Sequence, residues 1–270
     1  MASQGTPSTL SSPLTPSTPI TPAVQTKPST THSFRLPDPS QLSICKGPST
    51  TPPSSCYNLE DVVTILVKDG QKRREYTVLR GLVIWHSSYF AAALDPEGGW
   101  SQDGERKLTL DCAHATFDAF CCWLFTGKLK DPVTNAILAN NVFLSVRVLV
   151  DIWIFADFHG IPALGNSAIE MMHERIVAEW TLPCHIIKHA YRNTLAGSKL
   201  RGYLVELYKM SAELDAVTAK PSSYTEEFLC DVLPALARRE RRLRGSVTSV
   251  DRCQWHDHSG PGGKLRLESR

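Results

Sequence analysis

A chain of 270 residues with a formal net charge of +2 has no strong global field that would draw it to nucleic acid or an anionic membrane. Its hydrophobic content of 42% is enough for a core in one large or two small domains, at roughly 100–200 residues each. Eight cysteines without regular spacing do not describe a disulfide framework. The longest apolar stretch, 142–158, is broken by Ser145, Arg147, Asp151 and Asp157, so no bilayer span is expected. No charged n-region followed by an apolar h-region is visible, and a cytoplasmic or nuclear location is expected.

Residues 1–55 differ in kind from the rest. Eleven of the 18 prolines fall in the first 53 residues, among dense Ser and Thr. Such a segment buries too little apolar surface to offset ordering entropy, and a disordered tail is expected. Its Ser/Thr-Pro pairs, from Thr6-Pro7 to Thr51-Pro52, suit proline-directed kinases; a plain solvated tail is the alternative.

Order is expected from about Leu59. The β-branched run Val62–Val67, the Asp69-Gly70 step and the alternating Arg74–Leu79 read as a β-hairpin. Leu82, Trp85, Tyr89, Phe90 and Ala93 have helical spacing, which predicts one helix over 81–94. Lys107–Leu110 reads as a third strand. Phe117, Phe120, Cys121 and Leu124 form one helix face, and Gly127 is a natural C-cap. Helices follow at about 142–159, 162–178, 183–194, 198–213 and 224–243, giving an α+β chain that becomes wholly helical.

Residues with chemical potential are few. There is no phosphate-binding Gly-rich loop, no Gly-x-Ser-x-Gly elbow and no His-Glu-x-x-His, so no catalytic residue is expected. Asp157 and His159 at a helix end suggest capping and solvation. Cys112, His114, Cys121 and Cys122 do not suit one zinc tetrahedron, because adjacent helical cysteines point about 100° apart. Cys253, His256 and His258 are a better zinc set, with Cys184 and His185 or His189 as the source of a fourth ligand; a polar tail with chance histidines is the alternative. Arg238–Arg244 is the one basic run. It suits nuclear import or a solvated helix end, and it lacks the aromatic residues that stack on bases.

Five stretches in this order resemble a BTB/POZ domain of the fungal type. Asp61-Val62-Val63-Thr64-Ile65 resembles its opening strand, and Ser87-Ser88-Tyr89-Phe90 its first-helix signature. Leu108-Thr109-Leu110-Asp111, with Phe117 and Trp123-Leu124-Phe125-Thr126-Gly127, resembles its third strand and following helix. Ala156-Asp157 with Ile161-Pro162-Ala163-Leu164 resembles its helix pair. Residues 183–258 carry a weaker likeness to the C-terminal region of fungal members. The resemblance implies a short three-stranded sheet flanked by helices over 56–178, a helical extension over 179–244 and a flexible tail over 245–270. It also implies a non-catalytic protein–protein interaction module that self-associates as a homodimer or captures a protein partner. Asp61 and Arg80 match positions where a charged pair lines a groove in dimeric members, although many members have His-Lys where this chain has Leu79-Arg80. Trp85, Tyr89, Phe90 and Trp100 are expected near the association face, with plain core as the alternative for Tyr89 and Phe90. A cullin is a rival partner, in a ubiquitin-ligase adaptor. Trp100 fits the hydrophobic position of the cullin-binding triplet, but Gln102 replaces its Glu. A nuclear regulator is the second rival.

Overall fold

Val62–Asp69 (β1) and Lys72–Leu79 (β2) form the expected antiparallel hairpin, with Val62 opposite Leu79 and Asp69 opposite Lys72. Gly70 turns it with φ of +59°, a left-handed conformation that suits glycine. In β1 the period-two alternation buries Val63, Ile65 and Val67 on one face. Lys107–Asp111 (β3) runs parallel to β1 on its other side, so the sheet order is β2-β1-β3. These facts come from a computed structural model, which describes residues 51–95, 107–129, 144–179, 182–212, 214–239 and 252–257. The segment expected to be a disordered tail thus lies outside the described residues up to residue 50. Order starts earlier than Leu59, in a 3-10 turn at Ser54–Tyr57 with Cys56 buried.

The single helix expected over 81–94 is two. Arg80–His86 (α1) and Ser88–Ala93 (α2) are separated by Ser87, which is extended at φ −127° and ψ 122°. Ser87 is fully buried; its Oγ donates to the His159 carbonyl at 2.6 Å and accepts from the Phe90 amide at 3.0 Å. This caps α2 and ties the break to a turn 72 residues later. His114–Thr126 (α3) ends as expected at Gly127, with φ of +69°. Ala113 offers no side-chain cap at its start, and Asp69 from the hairpin accepts the His114 amide at 3.1 Å instead.

Val146–Phe158 (α4) starts later than residue 142, capped by the Ser145 hydroxyl, and Gly160 with φ of +58° turns it into Pro162–Glu179 (α5). Phe90, Phe117, Phe120, Phe155 and His159 form one aromatic cluster under the sheet-side helices, with the Phe90 ring stacked on Phe120 and His159. Beyond α5 come Cys184–Arg192 (α6), Lys199–Ser211 (α7), Leu214–Thr218 (α8) and Glu226–Arg239 (α9). Arg201 of α7 closes the preceding loop. It donates to the Tyr191 carbonyl at 2.6 Å and to Glu227 at 2.7 Å, and lies 4.4 Å above the Tyr191 ring. The fold is therefore mixed α+β: a three-stranded sheet under a helical cluster, then helices. Among the described residues no helix is long and apolar enough to cross a membrane.

Gly81 packs its backbone on the Ser54–Tyr57 turn. A Cβ there would sit 2.7 Å from Cys56 Cα and 2.8 Å from its carbonyl oxygen, both main-chain atoms that cannot rotate away. Gly81→Ala is expected to displace that turn and to cost about 1–3 kcal/mol. Faster labelling of the buried Cys56 thiol by a disulfide reagent, alongside a lower thermal midpoint, checks this.

Candidate functional site

The charged pair expected to line a groove is present as an intramolecular contact. Arg80 lies 3.6 Å from Asp61, its amide donates to the Asp61 carbonyl at 2.9 Å, and its guanidinium donates to the Leu94 carbonyl at 2.7 Å. Both side chains are half-buried. Arg80 thereby fastens the start of α1 to the end of α2.

The four aromatic residues expected near the association face separate. Phe90 is fully buried; it belongs to the core, because the break at Ser87 turns α2 so that Phe90 faces Phe120 and His159. Trp85 is half-buried on α1, and its indole Nε1 is buried without a hydrogen-bond partner. Tyr89 is half-buried, with its ring edge-on to Phe90 at 5.2 Å and to His159 at 4.8 Å. Trp100, and the triplet ending at Gln102, lie outside the described residues.

Tyr89 opens onto a groove of about 630 Å³ between the β3–α3 junction and α4. Leu110, Thr116, Phe155 and His159 are its buried floor, and Arg147, Asp151, Ile154 and Phe158 are on its α4 side. Phe158 is 75% exposed, and its ring lies 6.4 Å from that of Tyr89. Arg147 bonds Asp151 at 3.3 Å one helical turn on, and His189 of α6 meets the same carboxylate at 2.5 Å. The rim is apolar at one end and carries both signs of charge at the other.

His159 is buried, contrary to its expected place as a solvated helix end. Its Nδ1 lies 2.8 Å from the Phe155 carbonyl, and burial pushes its pKa below the ordinary histidine value. It is a neutral floor residue. Cys112 at the groove and Cys121 beside it are half-buried, so Cys121 flanks the buried stripe of Phe117, Phe120 and Leu124 and is not fully part of it. Burial, with Asp69 and Asp111 near Cys112 and Asp118 near Cys121, pushes both thiols up to about 12. At neutral pH both stay protonated, and a thiol is a poor nucleophile and metal ligand.

Of the proposed zinc set, His258 and the Cys253 side chain lie outside the described residues. His256 is buried against Glu170, with Nε2 at 3.0 Å from the carboxylate. His189 is committed to Asp151, while Cys184 is exposed at the start of α6. Among the described residues no group of three or more Cys, His, Asp or Glu is placed to hold a metal ion. The basic run 238–244 contributes only the backbone of Arg238 and Arg239, which end α9.

Sequence reasoning missed Phe158, the most exposed aromatic residue among those described, and Trp255, which is buried against Gly202 and Tyr203, some fifty positions earlier. Helix α4 is apolar on nearly every side, so periodicity does not single out the one aromatic residue left outside. The sequence matches no protein-family model and no curated protein.

Proposed function

We propose that this chain is a non-catalytic protein–protein interaction module of the BTB/POZ type, acting by self-association through the groove at Tyr89 and Phe158. The observation that carries the reading is Phe158, a phenylalanine 75% exposed on the rim of a 630 Å³ groove. Aromatic side chains at the centre of a contact are the usual energetic anchors of protein interfaces. The segment 81–94, expected to lie near the association face, spends Leu82, Val83 and Phe90 on the core. Exposed apolar surface lies at the end of α4, next to Tyr89.

The rim supports a contact between identical copies. A two-fold interface must be self-complementary, with each patch meeting its own image. Arg147 on one side of the groove and Asp111 on the other give both signs within one patch. The BTB/POZ part of the proposal rests on the five ordered sequence stretches, and a three-stranded sheet under a helical cluster is compatible with it.

Two differently tagged copies expressed together test it. Recovery of one copy on the other's tag is expected, and Phe158→Arg should cut that recovery at least about tenfold while leaving stability within about 0.5 kcal/mol, since the side chain is exposed. Failure of wild-type copies to co-purify would sink the proposal.

A further inference from the structure

Residues 252–257 pack on the helical body. Arg252–Trp255 is a 3-10 turn lying on α5 and α7. The Asn166 side-chain amide makes two hydrogen bonds to the main chain of Asp257, which is 91 positions away. Nδ2 donates to its carbonyl at 3.0 Å, and Oδ1 accepts from its amide at 2.9 Å. Lys199 Nζ donates to the Gln254 carbonyl at 3.3 Å. His256 is buried against Glu170. Trp255, 7% exposed, lies over Gly202 and edge-on to Tyr203 at 5.6 Å. A Cβ at position 202 would stand 3.4 Å from the indole, so the ring lies in contact distance of the α7 backbone at Gly202.

These contacts have the character of peptide recognition. The Asn166 and Lys199 side chains bind main-chain groups of the segment, contacts that do not depend on its side chains. One indole is the apolar anchor. A cavity of about 80 Å³, bounded by Trp153, Gly165, Asn166, Lys199 and Trp255, remains at the seam; protein interiors leave few voids of that size, whereas interfaces hold water.

We propose that the α5/α7 face is a peptide-binding groove for a tryptophan-bearing segment. Its resident ligand is this chain's own residues 254–257, and the same segment of a second copy can replace it. Residues 240–251 tether the resident to α9 and reach at most about 40 Å when extended. A tether of that length gives the resident a local concentration in the millimolar range. The resident segment therefore masks the groove from free peptide of similar affinity. The inference is independent of the surface at Phe158.

A fluorescein-labelled peptide of residues 252–257 tests it by anisotropy, on the full-length chain, with reductant and EDTA present so that no metal contributes. Trp255→Ala frees the groove. The peptide is expected to saturate this variant below about 1 mM, at least tenfold more tightly than it binds the wild type. Adding Asn166→Ala should abolish the binding. Equal affinity for wild type and Trp255→Ala, or no saturation with the variant, would overturn the proposal. A measurement on the wild type covers the case in which Trp255→Ala fails to fold. Excess unlabelled peptide is expected to speed hydrogen exchange at the Asp257 amide and to leave the α7 amides unchanged. Unchanged exchange at Asp257 would make the segment a fixed part of the core.

Discussion

Acidification from pH 8 to pH 5 is expected to lower the unfolding free energy by roughly 4 kcal/mol, about 2 kcal/mol from each of two buried histidines. Burial lowers the pKa of His86 and of His173 to about 4. The His86 ring sits edge-on to Trp123 at 4.8 Å with its Nδ1 buried and without a partner. His173 bonds Tyr203 through Nδ1 at 3.2 Å, and its Nε2 is likewise buried without a partner. A second ring proton would have no acceptor at either site. The unfolded chain protonates both rings near the ordinary pKa of about 6.5, while the folded chain keeps them neutral until about pH 4. The unfolded state therefore binds more protons throughout that window, and stability falls as pH falls through it. Above about pH 7.5 both states are neutral and these groups contribute no slope. His159, also lowered by burial, acts in the same direction. Urea midpoints at pH 8, 6.5 and 5 check this, and His173→Gln should remove about half of the drop. A flat midpoint between pH 8 and pH 5 would mean that the two rings are not dry in solution.

Ser87→Ala is expected to cost about 3 kcal/mol, while Ser88→Ala next to it changes stability by under about 0.5 kcal/mol. The difference follows from what each hydroxyl does. The Ser87 hydroxyl serves two buried main-chain groups at once, the Phe90 amide and the His159 carbonyl. Alanine would leave the Phe90 amide without its cap and deprive the His159 carbonyl of its shortest bond. Unmade buried hydrogen bonds of this kind cost about 1–3 kcal/mol each. Ser88 is half-buried and lies over Gly160 without such a double role. The same substitution should loosen the Tyr89 side of the groove, because α2 is held to the α4–α5 turn through Ser87 and through the Tyr89 amide on the His159 carbonyl. Paired urea titrations of the two variants, with hydrogen exchange at the Phe90 amide, measure both effects. Equal losses in the two variants would remove Ser87 from this role.

What the sequence made legible was local. The Asp69-Gly70 turn, the Gly127 cap and the apolar stripe of α3 each follow from residues within a few positions of one another. The break at Ser87 was not legible, because Leu82, Trp85, Tyr89, Phe90 and Ala93 keep helical spacing straight across it. The partner that makes the break stable is a carbonyl 72 positions away. The burial of His159 has the same origin: its rank at the end of α4 suggests solvent, and the Phe90 ring stacked on it comes from α2, nearly seventy positions earlier. At the candidate site, the motif marked Tyr89 and Phe90 as either association surface or core, and the structure separates them, since a one-residue step in α2 rotates the side chain by about 100° and takes Phe90 into the core. Trp255 was overlooked between Cys253 and His256, where ligand-like spacing drew attention to its neighbours. Its seat on Gly202 depends on a helix some fifty positions earlier.

Self-association through the end of α4 is most directly measured by sedimentation equilibrium of the full-length wild type and Phe158→Arg from about 1 to 100 µM. The wild type is expected to approach twice the chain mass of 29.9 kDa within that range, and Phe158→Arg to remain at the chain mass throughout. A wild type that stays monomeric at the highest concentration, or a Phe158→Arg variant that dimerises as well as the wild type, would contradict it.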